Sequence, residues 1–344
     1  MIKSLQGLRA LGMLGIFLFH SGLLLKGTFP VTFFFILSGF VLYYSYSNKI
    51  NNITIKDNIH WIMNRMQKLY QIHIITFAMS IVIRWEWILK FDMVDIFTKA
   101  LLNISLLQSL SSKQTFPFNG LSWFLSTTFV LHIVAIPLIL LIKNIKKIKP
   151  RYLILVILIF QYILIFINKN QSLELNLYTS PFFRVFDFTI GMLVAKKFIG
   201  DKNKGNCINY NLYEVSVISI FFIMYLISLF SSYNIEYGLS YYSPVFILGI
   251  YIMAFEKGCI SKLLSSNILQ KIAVFSFEFY MVHELILIVF RRVFVNIQYH
   301  WLIKNMIIAT QSFIISITLA IILNRYVTKK GKLHFRKSII KEGV

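Results

Sequence analysis

The chain has 344 residues, of which 57% are hydrophobic and only 14% are charged, so an ordinary soluble domain is excluded and a polytopic membrane protein is indicated. Its formal net charge is +22, because 35 Lys and Arg residues outnumber 13 Asp and Glu residues. Most of the basic residues lie between the apolar runs, which is typical of cytoplasmic membrane loops and argues against nucleic-acid binding.

Ten apolar runs predict an all-α protein with about ten transmembrane helices, since each run is long enough to cross a bilayer. The runs cover residues 5–25, 28–47, 70–89, 121–142, 151–168, 181–199, 212–231, 239–256, 272–291 and 303–325. The connection at 90–120 predicts an amphipathic segment that lies on the membrane surface. We expect one membrane-embedded domain, 1–330, followed by a basic cytoplasmic tail, 331–344.

The basic residues also predict the orientation of these spans. One set of alternate loops contains 24 of the 35 Lys and Arg residues, and the other set contains 8. Because cytoplasmic loops carry the excess of positive charge, both termini are predicted to be cytoplasmic, in the inner (cytoplasmic) membrane of the cell.

The first run contains Arg9 and His20, which are eleven positions apart and therefore share one helix face at about 100° per residue. They are separated by about 16 Å along the axis at a rise of about 1.5 Å per residue. An Arg at the centre of a membrane helix costs roughly 2.5–3.5 kcal/mol on insertion scales, so the pair predicts a polar lumen. The alternative is an Arg that snorkels to the surface and a His among the outer headgroups.

The second and third runs contribute further polar residues. Ser38 and Gly39 allow a hydrogen bond and a close backbone approach between helices, although packing alone also explains them. Arg65 and Lys68 are i,i+3 neighbours at the cytoplasmic end of the third run, where they could bind the phosphates of an anionic cosubstrate or of lipids. His73 follows on the next turn, and the alternative there is a packed histidine in the helix core.

The later runs contain two more polar pairs. Arg184 and Asp187 are i,i+3 neighbours that can neutralise each other inside the membrane, as a structural ion pair or as part of a catalytic site. His283 and Glu284 are adjacent, and Glu284 could pair with Arg291, which would leave His283 as a functional candidate. The sequence contains no nucleophile elbow, phosphate-binding loop or metal-ligand spacing, so no metal site is predicted.

Five segments that run through nearly the whole chain resemble the acyltransferase 3 family of integral-membrane acyltransferases, which includes O-acetyltransferases of bacterial surface polysaccharides. They are Gly7-Leu8-Arg9-Ala10 with Phe19-His20, Phe34 to Phe40, Arg65 to His73, Ser122 to Ser126, and Arg184 to Phe188 with Gly191-Met192; a weaker sixth is Tyr280 to His283. The Arg9 and His20 pair matches the most specific of these signatures, an Arg and a His separated by ten residues.

The resemblance implies an acyl-CoA donor, expected to be acetyl-CoA, that approaches from the cytoplasm, and a hydroxyl acceptor on a cell-surface polysaccharide or lipid-linked sugar. It implies that His20 accepts the proton of this hydroxyl, and that Arg9 binds the donor or stabilises developing negative charge. The expected cosubstrate-binding residues are Arg65, Lys68 and His73, and the supporting candidates are Ser38, Gly39, Trp123, Ser126, Arg184, Asp187 and His283. The expected partners are the donor, the acceptor and membrane lipids, with no bound cofactor.

The chain departs from the family pattern at two positions. Many members have Asp where Thr32 stands and Glu where Thr128 stands, so any acid-base or acceptor-binding role of those carboxylates is missing here. Two other classes of function remain open from the sequence. A secondary transporter would also bury Arg, His and Asp but should show inverted repeats, and a non-catalytic membrane protein of glycan assembly would explain the missing carboxylates.

Overall fold

A computed structural model describes residues 2–27, 29–50, 55–111, 117–170, 176–204, 209–230 and 240–342, except for the side chains of 55–57, 169–170 and 328–342. The regular structure of the described residues is helical and includes no strand, as predicted. The α-helices are α1 (Lys3–His20), α2 (Phe29–Tyr46), α3 (Ile55–Ile83), α4 (Trp85–Ile88), α5 (Met93–Ile104), α6 (Ser122–Asn144), α7 (Pro150–Asn170), α8 (Pro181–Asp201), α9 (Tyr210–Phe230), α10 (Ser243–Met253), α11 (Cys259–Leu264), α12 (Asn267–Val274), α13 (Ser276–Val293) and α14 (Trp301–Glu342).

Six helices in the described ranges are long and apolar enough to cross a membrane, namely α2, α6 and α9 and most of α3, α7 and α14. The bent pair of α12 and α13, which meet at 64°, passes the same test as one span. The other predicted runs fall on α1, α8 and α10, of which α8 contains five charged residues and α10 has only 11 residues. The chain is thus a helical protein of membrane character, while the count of ten spans and the cytoplasmic termini stay predictions.

One predicted helix boundary differs from the structure. The third run was expected to begin at residue 70, whereas α3 begins at Ile55, because Ile62 and Met66 form a buried apolar contact with Leu125 of α6. At the other end of the chain, α14 continues to Glu342, and the division into a membrane domain and a tail at residue 330 stays a prediction. The side chains of the predicted tail, 331–344, lie outside the described residues.

The predicted surface segment, 90–120, contains α5. Asp92 caps the start of this helix, because its carboxylate accepts a hydrogen bond from the Asp95 backbone N–H at 2.7 Å. The apolar side chains of Met93, Val94 and Phe97 are 72–78% exposed to the surroundings of the protein. This apolar face agrees with a helix that lies on the membrane surface.

Helices α2 and α8 cross at two glycines. A Cβ atom on Gly39 would overlap the carbonyl oxygen of Phe188, and a Cβ atom on Gly191 would overlap the carbonyl oxygen of Ile36. Each backbone therefore packs directly against the other, as small residues allow in membrane helix pairs. The main buried apolar cluster of the protein surrounds this crossing and includes residues of α2, α6 and α8.

The first turns of α1 are anchored by the segments around α10, α11 and α12. The Ser4 backbone N–H donates to Glu256 Oε1 at 2.9 Å, and Ser4 Oγ donates to the Met253 carbonyl at 2.7 Å. Gln270 Nε2 donates to the Lys3 carbonyl at 2.8 Å. These contacts hold the start of the helix that carries Arg9 and His20.

Candidate active site

A cavity of about 440 Å³ lies among α1, α2, α3, α6 and α13. Along α2 its wall extends from Tyr46 to Val31, which is roughly 22 Å at the rise of an α-helix and most of the thickness of a bilayer core. Three cationic side chains, those of Arg9, Arg65 and Lys68, line it together with apolar and aromatic groups. Its described lining contains no Asp or Glu, so the cavity is suited to an anionic ligand.

Arg65 is held in one orientation by His132, a residue that the sequence analysis did not single out. His132 Nδ1 lies 2.6 Å from the Thr128 carbonyl, which can only accept, so Nδ1 carries the proton. His132 Nε2 then accepts from Arg65 Nε at 2.8 Å, as a neutral imidazole must. The Arg65 guanidinium also lies 5.8 Å from the Trp61 ring centroid and 5.9 Å from that of Tyr46.

Lys68 forms an ion pair with a buried carboxylate. Its Nζ lies 2.8 Å from Oε1 of Glu278, whose side chain is fully buried, while the Lys68 side chain is 43% exposed. Asn324 Nδ2 donates to the same oxygen at 2.9 Å. Glu278 was not predicted as a site residue, although its position five residues before His283 was a signal of a second polar site on that helix.

Arg9 is half-buried and lines the same cavity, where Glu278 and Arg65 both act on it electrostatically. Two guanidinium groups that face one cavity repel each other, and an anion between them would relieve that repulsion. The structure therefore brings together three of the predicted residues, Arg9, Arg65 and Lys68, in one cationic cluster.

His20 lies at the other end of α1 and contacts His283 of α13. His283 Nδ1 lies 2.8 Å from the Tyr280 carbonyl and 3.2 Å from the Phe279 carbonyl, so this nitrogen carries the proton. His283 Nε2 is therefore an acceptor, and His20 Nδ1 donates to it at 3.3 Å. A neutral His20 in this arrangement keeps the lone pair of its Nε2 for another proton.

The histidine pair lies about one helical turn beyond the cavity. Ile16, which lines the cavity, precedes His20 by four residues, or about 6 Å of helix. Tyr280, which also lines it, precedes His283 by three residues, and the centroids of their rings are 5.9 Å apart. A ligand bound by the cationic cluster could thus extend along α1 toward His20.

Charged residues surround His20 on its other side. Arg291 Nη2 donates to the His20 carbonyl, and both Glu284 and Arg291 act electrostatically on the His20 ring. The predicted pairing of Glu284 with Arg291 is not formed among the described residues, because the Arg291 guanidinium turns toward the backbone of α1. The proximity of Glu284 to His20 could not be predicted from the sequence, since it depends on how α1 and α13 pack.

His73 does not line the cavity, although it was predicted beside Arg65 and Lys68 as a cosubstrate ligand. It is fully buried, and its Nε2 lies 2.9 Å from the Asn103 carbonyl, to which it donates. This contact links α3 to the end of α5. The role of His73 toward a cosubstrate stays a prediction, and its contacts are those of a residue that positions helices.

The other supporting candidates lie on α2 and α6, close to the cavity. Ser38 lines it, while Gly39 is buried in the crossing with α8. Trp123 packs its ring 5.1 Å from that of Tyr178. Ser126 Oγ donates to the Leu106 carbonyl at 2.7 Å, which fastens the segment after α5 to α6.

The predicted ion pair of Arg184 and Asp187 forms with a distance of 2.8 Å, and both side chains are fully buried. Gln161 donates to the second Asp187 oxygen at 2.9 Å. Arg184 Nη1 also donates to Thr32 Oγ1 at 3.1 Å. Because neither charged residue is among those that line the cavity, their contacts favour the structural interpretation.

Comparison with known protein families finds one match. The family model described as an acyltransferase domain, acyltransferase 3, matches residues 2–325, nearly the whole chain. No curated protein and no solved structure matches the chain.

Proposed function

We propose that this chain, which belongs to the acyltransferase 3 family, transfers an acetyl group from acetyl-CoA to a hydroxyl of a cell-surface polysaccharide or a lipid-linked sugar, at the inner membrane of the cell. Membership of the family makes the protein a membrane acyltransferase. The acyl group, the donor, the acceptor and the membrane are our proposal.

The observation that carries the proposal is the cationic cavity that ends one turn short of the His20 and His283 pair. Acetyl-CoA is long and flexible, with phosphates at one end and a thioester at the other. Its phosphates would bind Arg9, Arg65 and Lys68, because guanidinium and ammonium groups form charge-assisted hydrogen bonds with phosphate oxygens. The apolar part of the cavity would then direct the thioester toward His20.

This arrangement assigns Arg9 to the donor. Arg9 and His20 are about 16 Å apart along α1, so one ligand group cannot contact both side chains. Of the two roles that the resemblance implies for Arg9, phosphate binding agrees with its place beside Arg65.

His20 would act as the general base. Its Nε2 accepts the proton of the acceptor hydroxyl while the hydroxyl oxygen attacks the thioester carbonyl carbon. The carbon–sulfur bond then breaks, the proton passes from His20 to the departing thiolate, and the products are an O-acetyl ester and CoA. Such a base contributes typically 10²–10⁴-fold to the rate.

The proposal is tested with purified protein in lipid nanodiscs and with whole cells. Isothermal titration calorimetry should show binding of acetyl-CoA. Mass spectrometry of the surface glycan should show an ester-linked acetyl group that disappears when the gene is deleted and returns when it is restored. Absence of binding together with an unchanged glycan would refute the function.

A further inference from the structure

We propose that Glu284 and Arg84, facing each other across Gly120, form a binding site for a neutral hydroxyl of the acceptor sugar beside His20. This inference rests on the proposed function and adds the place where the acceptor binds.

The site lies beside Gly120, where the missing side chain leaves the Glu284 carboxylate uncovered. A Cβ atom on Gly120 would stand 3.3 Å from Glu284 Oε2 and 3.6 Å from Arg84 Nη1. Both charged groups therefore reach the same spot next to a backbone that carries no side chain. Glycine allows such close approach of a ligand to the backbone.

Glu284 has an unused acceptor at this spot. Its Oε2 is buried, and no donor from the described part of the chain forms a hydrogen bond with it. Buried polar atoms usually have a hydrogen-bond partner, so an unfilled carboxylate oxygen favours a ligand that supplies an O–H or N–H group.

The charges around Glu284 favour a neutral donor. Arg84 and Glu284 act on each other electrostatically, and Arg84 Nη1 is kept in place by a hydrogen bond to the Phe118 carbonyl at 2.5 Å. Since one cation already balances the Glu284 charge, a second cation would be repelled by Arg84. A sugar hydroxyl donates to the carboxylate without adding charge.

The position of Glu284 relative to His20 suits an acceptor. Glu284 directly follows His283, whose Nε2 lies 3.3 Å from His20 Nδ1, so a hydroxyl bound to the Glu284 carboxylate would lie near the base. Glu284 thus supplies a carboxylate near the proposed base.

Glu284→Gln tests the inference, because it removes the charge and keeps the shape. In cells without the chromosomal gene, a plasmid copy of this variant should acetylate the surface glycan roughly 10- to 100-fold less than wild type, as expected for loss of a hydrogen bond to a charged group. The affinity of the purified variant for acetyl-CoA should be unchanged. Gly120→Ala, which keeps the carboxylate and places a methyl group 3.3 Å from its Oε2, should also lower acetylation and leave acetyl-CoA binding intact.

Glu86→Gln is the matched control, since Glu86 of α4 is 61% exposed and pairs with Arg292 of α13. Cells that carry this variant should acetylate the glycan as wild type does. Wild-type acetylation by both Glu284→Gln and Gly120→Ala would overturn the inference. Loss of acetyl-CoA binding in Glu284→Gln would overturn it as well, because Glu284 would then serve the donor or the fold. If wild type itself neither binds acetyl-CoA nor modifies the glycan, the proposed function fails instead.

Discussion

His283 Nε2 lies 3.3 Å from His20 Nδ1, and this contact determines which nitrogen of His20 is available to a substrate. Because Nδ1 of neutral His283 donates to two backbone carbonyl groups, its Nε2 can only accept a hydrogen bond from His20. His283 therefore positions the base, in the way that a carboxylate orients histidine in other enzymes.

His20→Ala should abolish acetyl transfer, because it removes the proton acceptor, and the loss should be about 10²-fold or more. His283→Ala should lower the turnover rate less than His20→Ala and leave the acetyl-CoA affinity unchanged. His283→Gln, whose amide oxygen can still accept from His20, should recover part of the rate. Turnover of His20→Ala at the wild-type rate in the nanodisc assay would remove His20 from the mechanism.

Arg9→Ala should raise the Kd for acetyl-CoA, since Arg9 supplies one of the three cations of the cavity. Arg9→Lys should restore binding poorly, because a point charge cannot replace the planar fork of a guanidinium toward a phosphate. Titration calorimetry with acetyl-CoA measures both variants. Equal affinity of Arg9→Lys and wild type would show that charge alone matters at this position.

Arg65→Ala and Lys68→Ala should raise the apparent KM for the donor, because both residues line the cationic cavity. The KM for the acceptor should change little, because His20 lies beyond the end of this cavity. Lys262→Ala is the control, since Lys262 is exposed on α11 and lines neither the cavity nor the histidine pair. Loss of acceptor affinity with retained donor affinity would contradict the assignment and make this cluster a lipid or topology determinant.

The predicted orientation of the spans is tested by labelling. In a variant whose two native cysteines, Cys207 and Cys259, are replaced by Ser, a cysteine at Lys147 should resist a membrane-impermeant reagent in intact cells. A cysteine at Lys90 should react, because the excess of basic residues places the Lys147 loop in the cytoplasm and the Lys90 loop outside. Labelling of the Lys147 cysteine in intact cells would reverse the topology.

Gly39→Ala should destabilise the protein by about 1–3 kcal/mol or more, because the new methyl group would overlap the backbone of α8 and force the helices apart. Gly200→Ala is the control, since a Cβ atom there would meet nothing within 4 Å. Thermal unfolding of the two purified variants measures the difference. Equal midpoints for Gly39→Ala and wild type would mean that the crossing adjusts without strain.

The parts of this structure that sequence could predict depend on neighbours along one helix. Arg184 and Asp187 pair because they are one turn apart, and Arg9 and His20 share a face because of helical periodicity. The helices themselves follow from long apolar runs.

The remaining parts depend on which helix faces meet, and periodicity carries no information about that. Arg65 binds His132 across 67 positions, and Lys68 pairs with Glu278 on a helix more than 200 residues later. The start of α3 was also missed, because Arg65 and Lys68 make the segment look like a polar loop while Ile62 and Met66 pack in the protein core. Glu284 was assigned the wrong partner for the same reason.

Because the first turns of α1 are anchored, the protein restricts the length of the acyl donor that can react. Ser4 and Lys3 are tied to three other segments, so α1 cannot slide along its axis without breaking those hydrogen bonds. The helix between Arg9 and His20 has a fixed rise per residue, and its span of about 16 Å cannot be stretched. Helix α1 therefore sets a minimum length for the acyl donor. A donor too short to reach from Arg9 to His20 would bind without reacting.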